Sequence, residues 1–124
     1  MKISSIKIYK EKGCPGQPQT TAQLTPEEGI AGNRHNDITL ITQAAQAFKN
    51  QGGGMCFAKF KENLIVEGSL HHDKPIEIGK AQLEITSGKK FCFKECQFFS
   101  EIKKCPMQEG VAFAKVTKGG NITI

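Results

Sequence analysis

Residues 2–9 alternate loosely between apolar and polar, with Ile6 and Ile8 separated by Lys7. That period of two predicts a half-buried strand. The run Asp37-Ile38-Thr39-Leu40-Ile41-Thr42 is β-branched and apolar, which predicts a buried strand. Thr42 then stands where a helix N-cap belongs. Gln43 to Asn50 are good helix formers with Ala44, Ala47 and Phe48 on one face, and Gly52-Gly53-Gly54 ends the helix. Phe57 to Phe60 reads as a short apolar segment, and Leu64-Ile65-Val66 as a short strand closed by Gly68. Ile76-Glu77-Ile78 and Ala81-Gln82-Leu83-Glu84-Ile85-Thr86 alternate on either side of a Gly79 turn, as a hairpin does. Val111 to Val116 predicts another strand. Gly119-Gly120 turns it into a last short one, Ile122 to Ile124. Between the first two strands, residues 11–29 carry Pro15, Pro18 and Pro26 among polar residues, and read as one long loop. His71 and His72 fall in a polar loop that ends at Pro75. Six or seven short strands with one clear helix predict a mainly β chain, a sandwich or a barrel.

A length of 124 residues suits a single domain over 1–124. No apolar run approaches the ~20 residues of a membrane span. No signal peptide is read at the N-terminus, so a cytoplasmic protein with reduced thiols is expected, with no membrane partner. Five cysteines, an odd number, argue for thiols or metal ligands over a complete disulfide framework. The net charge of +5 comes from lysines spread along the chain. It first signals solubility and then a small anionic ligand. Nucleic acid is not expected as a partner, because one Arg and one Tyr leave little for bidentate base contacts or stacking.

The candidate chemistry lies in the last third. Cys92 is flanked by Lys89, Lys90 and Lys94, whose positive charge favours the reactive thiolate. Cys96 or Cys105 could act as a resolving thiol toward Cys92 by forming a disulfide. Alternatively, Cys92 and Cys96 have the spacing of a zinc-ligand pair, which Cys105 and His35 would complete. Cys14 and Cys56 read as small buried hydrophobes. Arg34 is the single arginine, and its guanidinium suits a phosphate. His35 follows Gly32 in a tight turn and is a candidate polar group at a pocket. Glu62 and Asn63 either close a strand edge or line the site. The Gly52–Gly54 run lacks the Lys-Ser/Thr of a phosphate loop. No Ser-His-Asp order, helical His-Glu-x-x-His motif or pyridoxal phosphate site is evident.

Several stretches, in order, resemble one family. Gly29-Ile30-Ala31-Gly32-Asn33-Arg34-His35 resembles the "G-hydrophobic-x-G-D-x-H" signature of the MOSC family, the molybdenum cofactor sulfurase C-terminal domain. Asp37 to Ile41 is similar to the strand that follows it. Phe60 to Gly68, with Glu62-Asn63-Leu64, resembles the "E-N-L/I-x-x-x-G" segment. Ile78 to Thr86 is similar to the "I-G-x-A-x-L-x-V-T" hairpin. The cysteine block with Gly110 to Ile122 resembles the end of short bacterial members, and Lys12-Gly13-Cys14-Pro15 sits at a similar turn. The resemblance implies a compact β-barrel with one or two short helices. It implies a role in molybdenum cofactor (molybdopterin) handling, with Cys92 bearing a persulfide or touching molybdenum. Arg34, His35, Asn63 and Lys89 would be the contacts to the cofactor, and Cys96 and Cys105 further candidate metal ligands. The partners implied are molybdenum cofactor enzymes or a cysteine desulfurase, which would have to generate the persulfide. Whether the chain is itself an enzyme stays open, beside a binding module without chemistry and a small zinc domain. Two positions depart from the family pattern: Asn33 stands for the signature Asp, and Asn36 for a basic residue. The chain also ends at Ile124, where many members continue with a further strand.

Overall fold

The structure, a computed structural model, describes residues 2–11, 13–50, 61–71, 73–88 and 110–124. Of Ser87 and Gly88 only the backbone is described. The elements are β1 (Ile3–Ile8), β2 (Gln17–Gln19), β3 (Thr21–Thr25), β4 (Gly29–Ile30), β5 (Ile38–Thr42), α1 (Gln43–Asn50), β6 (Leu64–Val66), β7 (Ile76–Ile78), β8 (Ala81–Gly88), β9 (Val111–Lys118) and β10 (Gly120–Thr123). A seven-stranded sheet runs β2-β1-β6-β5-β9-β8-β7, and a three-stranded sheet runs β10-β3-β4. All pairings are antiparallel except β5 with β6, which is parallel. The helix α1 begins in the chain that joins those two strands, as a parallel pair needs a crossover.

The chain is therefore mainly β. The expectation of a closed barrel is corrected: among the described residues, the large sheet ends at β2 and β7 and the small one at β10 and β4. Closure would need each edge strand to find a second neighbour. β2 and β7 are only three residues long, and Pro18 removes one backbone donor from β2. The two sheets instead share one core. Ile6, Leu40, Leu64, Leu83 and Ala112 of the large sheet are buried with Leu24, Ile30 and Ile122 of the small one. Burying each such aliphatic side chain contributes roughly 1.5–3 kcal/mol.

Within β1, Ile3 and Ile6 are both buried although three positions separate them. The register shifts between Ile3 and Ser5, and this bulge returns Ile3 to the core face. β5 is buried along most of its length. Ile38 and Leu40 join the main core, while Ile41 faces the other way, opposite its register partner Val111. Ala45 is buried on α1. Thr42 caps that helix as expected, its Oγ1 accepting from the Ala45 N–H at 3.1 Å. The expected apolar face is wrong: Ala44 and Ala47 are exposed, Phe48 is half-buried and Ala45 turns inward. At Gly110 a Cβ would lie 2.5 Å from Ala45 Cβ and 2.6 Å from Thr42 Oγ1, so only glycine fits there.

The reading of residues 11–29 as one loop is also corrected. It contains β2 and β3 and the first residue of β4. β2 pairs with β1, and β3 pairs with β10 and β4, so partners distant in sequence satisfy its backbone groups. In β3, Leu24 is buried and Ala22 packs half-buried on the same face, an alternation of only two apolar positions between Pro18 and Pro26. The Gly79 turn and the β7–β8 hairpin are as expected, with Gly79 at φ +59°. The final strand is Gly120–Thr123, and Ile124 is exposed. The Gly52–Gly54 stop, the Phe57–Phe60 segment and His72 lie outside the described residues. No helix among the described residues is long and apolar enough to cross a membrane.

Gly29 opens β4, the strand that leads into the turn carrying Arg34 and His35. Its φ is +73°, and a Cβ there would collide with the Asn36 carbonyl. Gly29→Ala is expected to lower stability by about 1–3 kcal/mol through backbone strain alone. Urea denaturation checks this, and an unchanged midpoint would show that the turn adapts at no cost.

Candidate functional site

Asn63 is 4% exposed and sits just before β6, between β1 and β5. A buried amide must find partners for its polar atoms, and Asn63 finds them on both neighbours. Its N–H donates to Thr39 O at 2.9 Å, and its carbonyl accepts from Lys7 N at 2.7 Å. Its side-chain Oδ1 accepts from Thr39 N at 3.0 Å. Its Nδ2 donates to Lys7 O at 3.1 Å and to Asn33 Oδ1 at 3.2 Å. The side chain thus continues the sheet ladder past the end of the strand.

Asn33 links this amide to the turn before β5. Its Oδ1 also accepts from Tyr9 N at 2.9 Å, and its Nδ2 donates to His35 O at 3.1 Å. The backbone adds Asn33 N to Ile30 O at 3.0 Å and Arg34 N to Tyr9 O at 2.8 Å. Gly32, at φ +89°, lets the chain turn before the pair. The end of β1 and the 32–37 turn are thereby held side by side.

Above this network opens a cleft of about 360 Å³. Tyr9, Arg34, His35, Lys61, Asn63 and Phe113 line it, with Glu11, Asn33, Asp37 and Thr39. Among the described residues, no hydrogen bond or ion pair takes up the Arg34 guanidinium or the His35 ring. Lys61 Nζ lies 6.0 Å from the centroid of the Tyr9 ring, within cation–π range. Burial pushes the Tyr9 hydroxyl above its ordinary pKa, and the Glu62 carboxylate adds to this, so Tyr9 is a neutral donor at physiological pH. On the other side, a Cβ at Gly16 would come within 2.9 Å of the Tyr9 ring, so that glycine leaves room for the ring.

Glu62 is 3% exposed beside Asn63 and is not among the cleft-lining residues. Its two carboxylate oxygens accept from Lys7 Nζ at 3.3 Å and Lys49 Nζ at 3.1 Å. Burial pushes its carboxyl up. A backbone N–H and the two ammonium groups outweigh that and hold it below the usual carboxylate value. The buried charge is thus compensated from β1 and from α1.

Three residues expected to contact a cofactor, Arg34, His35 and Asn63, come together in this one cleft. The fourth, Lys89, lies outside the described residues, as do Cys92, Cys96 and Cys105. The described chain leaves β8 at Gly88, which pairs with Ala112, and resumes at Gly110, three residues before the cleft residue Phe113. Cys14 is half-exposed rather than buried, and Cys56 is outside the described residues. Among the described residues no group of three His, Cys, Asp or Glu side chains could hold a metal. Sequence reasoning missed Tyr9, Lys61 and Phe113. The single tyrosine beside a lysine at the end of an alternating strand was the available signal for Tyr9.

No family model matches the chain, and no curated protein matches it. A solved structure described as "Crystal structure of an hypothetical protein" is similar at a TM-score of 0.57 and 16% identity. The similarity covers 99% of this chain but 63% of the other, so this chain spans less than two thirds of that protein's length. At that identity the likeness concerns the fold alone.

Glu62 gives the site a testable pH dependence. Its folded pKa is depressed, so its stabilisation is present above its ordinary value of 4.5 and is lost as pH falls through the folded value. Glu62→Gln is expected to cost about 1–3 kcal/mol at pH 7, since the carboxylate charge is lost and one of the two ammonium groups faces an NH₂ in place of an acceptor. Its stability should also fall less steeply than that of the wild type below about pH 4.5. Urea midpoints measured from pH 3 to 7 check this, and parallel curves for the two proteins would exclude the role.

Proposed function

We propose that this chain is a MOSC-type protein that binds an anionic pterin such as molybdopterin in the cleft above Asn33 and Asn63, with Cys92 carrying sulfur or touching the metal. The observation that carries the reading is the convergence of Arg34, His35 and Asn63, from two separate motif-like stretches, on one cleft. The donor set suits such a ligand. The Arg34 guanidinium matches a phosphate in a bidentate fork, and Lys61 adds a second positive charge. The flat rings of Tyr9 and Phe113 suit a fused heterocycle, and the carboxylates of Glu11 and Asp37 can accept from its ring N–H groups. Bound there, a molybdenum pterin would supply a metal able to take or hold sulfur.

Cys92 belongs to this proposal through its lysine neighbours Lys89, Lys90 and Lys94, whose positive charge favours its thiolate. Its thiolate would attack the terminal sulfur of a persulfide on a partner cysteine desulfurase. A new Cys92–sulfur bond forms, and the partner's thiolate leaves. The likeness in fold to a solved structure of 0.57 TM-score is compatible with this reading and carries no function by itself.

Two measurements test the proposal. Intact mass spectrometry after incubation with a desulfurase and cysteine should show a reductant-sensitive gain of one sulfur, absent from Cys92→Ser. Arg34→Ala should weaken binding of the pterin by about tenfold to a hundredfold, the loss of a charge-assisted hydrogen bond. Absence of a sulfur adduct with pterin binding intact would leave a binding module without chemistry. Stoichiometric zinc, with unfolding on chelation, would replace both by a structural metal site.

A further inference from the structure

Asn63 fits the sequence expectation of a cofactor contact by location, but its bonds point to a different task. Both of its Nδ2 hydrogens are engaged, on Lys7 O and Asn33 Oδ1, and its Oδ1 holds Thr39 N. A side chain spent in this way has little left for a ligand. Asn33 is likewise engaged at both ends, accepting from Tyr9 N and Asn63 Nδ2 and donating to His35 O. The side chains next to them in the cleft, the Arg34 guanidinium and the His35 ring, have no such partners among the described residues.

We propose that Asn33 and Asn63 are positioning residues: their joined amides fix the 32–37 turn against β1, and so present Arg34 and His35 to an anion. The chemistry of Asn33 is specific to an amide. One end must donate to a carbonyl while the other accepts from two N–H groups, and a carboxylate can do only the second. An aspartate would face the His35 carbonyl oxygen with a charged acceptor and would add a negative charge next to Arg34. Neutrality at position 33 therefore adds no further negative charge beside Arg34 and Lys61 in the cleft. The acidic groups of the cleft, Glu11 and Asp37, are exposed to water, as are Arg34 and Lys61. Glu62, the buried acid nearby, is committed to Lys7 and Lys49.

The inference rests on the anion-binding reading for its purpose, but its geometry can be tested without any ligand. Amide hydrogen exchange at Tyr9 and Arg34 reads the two arms of the clamp. Asn33→Asp keeps the acceptor arm, so protection at Tyr9 should stay within about threefold of wild type. Asn33→Ala removes it, and exchange at Tyr9 should rise by about tenfold or more, the equivalent of one net hydrogen bond. Both variants free the His35 carbonyl, and both should speed exchange at Arg34. With inorganic phosphate as the probe, Asn33→Asp should bind at least about tenfold more weakly than wild type. Phosphate should move the Arg34 Nε resonance of the wild type and leave the Asn63 side-chain NH₂ resonances in place. Wild-type exchange in Asn33→Ala would overturn the clamp, and so would a large phosphate-induced movement of the Asn63 NH₂ signals. If phosphate fails to bind the wild type while the exchange pattern holds, the clamp stands and the anion-binding reading falls.

Discussion

A single buried amide ties together the parts of this protein that matter for its site. Asn63 stands at the point where β6 enters between β1 and β5, and no regular ladder partner is available for its side chain. Such a group is costly unless every polar atom is paired. The pairing it finds reaches Lys7 on β1, Thr39 on β5 and Asn33 in the turn. The strand junction and the cleft floor are therefore one hydrogen-bonded unit. Loosening one end of it exposes or orphans groups at the other.

The preceding residue in the chain supplies the electrostatic counterpart. Glu62 is buried and charged, and it draws Lys7 of β1 and Lys49 of α1 onto itself. The helix is thus fastened to the sheet by charge at its C-terminal end and by the Thr42 cap at its N-terminal end. The same pairing engages two cations, Lys7 and Lys49, away from the cleft. What remains at the cleft is a smaller set of charges on the turn and at Lys61. Binding groups on a turn held by a rigid sheet are a common arrangement, because the scaffold removes the entropy the turn would otherwise keep.

Legibility followed the physics of each segment. β1, β5, β7, β8 and β9 have one face or both faces in the core, so their apolar positions show in the chain with the right period. β2 buries nothing and β3 shows only Ala22 and Leu24 to the core, and their strand character comes from partners about ten residues away on β1 and about a hundred residues away on β10. Prolines and polar residues there made a loop the natural reading. The helix face was misjudged because alanines at 44, 45 and 47 differ little in hydropathy, and the packing under Thr42 and beside Gly110 picks Ala45. The bulge in β1 likewise depends on how Ser4 and Ser5 meet β6, not on any pattern within the strand.

Taken alone, the chain determined that the protein is mainly β, where its well-buried strands and its helix cap lie, and that Arg34, His35 and Asn63 belong to chemically suggestive stretches. Those properties depend on local periodicity and residue type, which the sequence carries directly. Tertiary structure decided that the sheets stay open, that β5 and β6 run parallel, and that Tyr9, Lys61 and Phe113 join the cleft. It also decided that Asn63 holds the backbone with its side-chain amide. The amide pairings join residues 24 to 56 positions apart, and no local pattern encodes which distant N–H or carbonyl a buried amide will find.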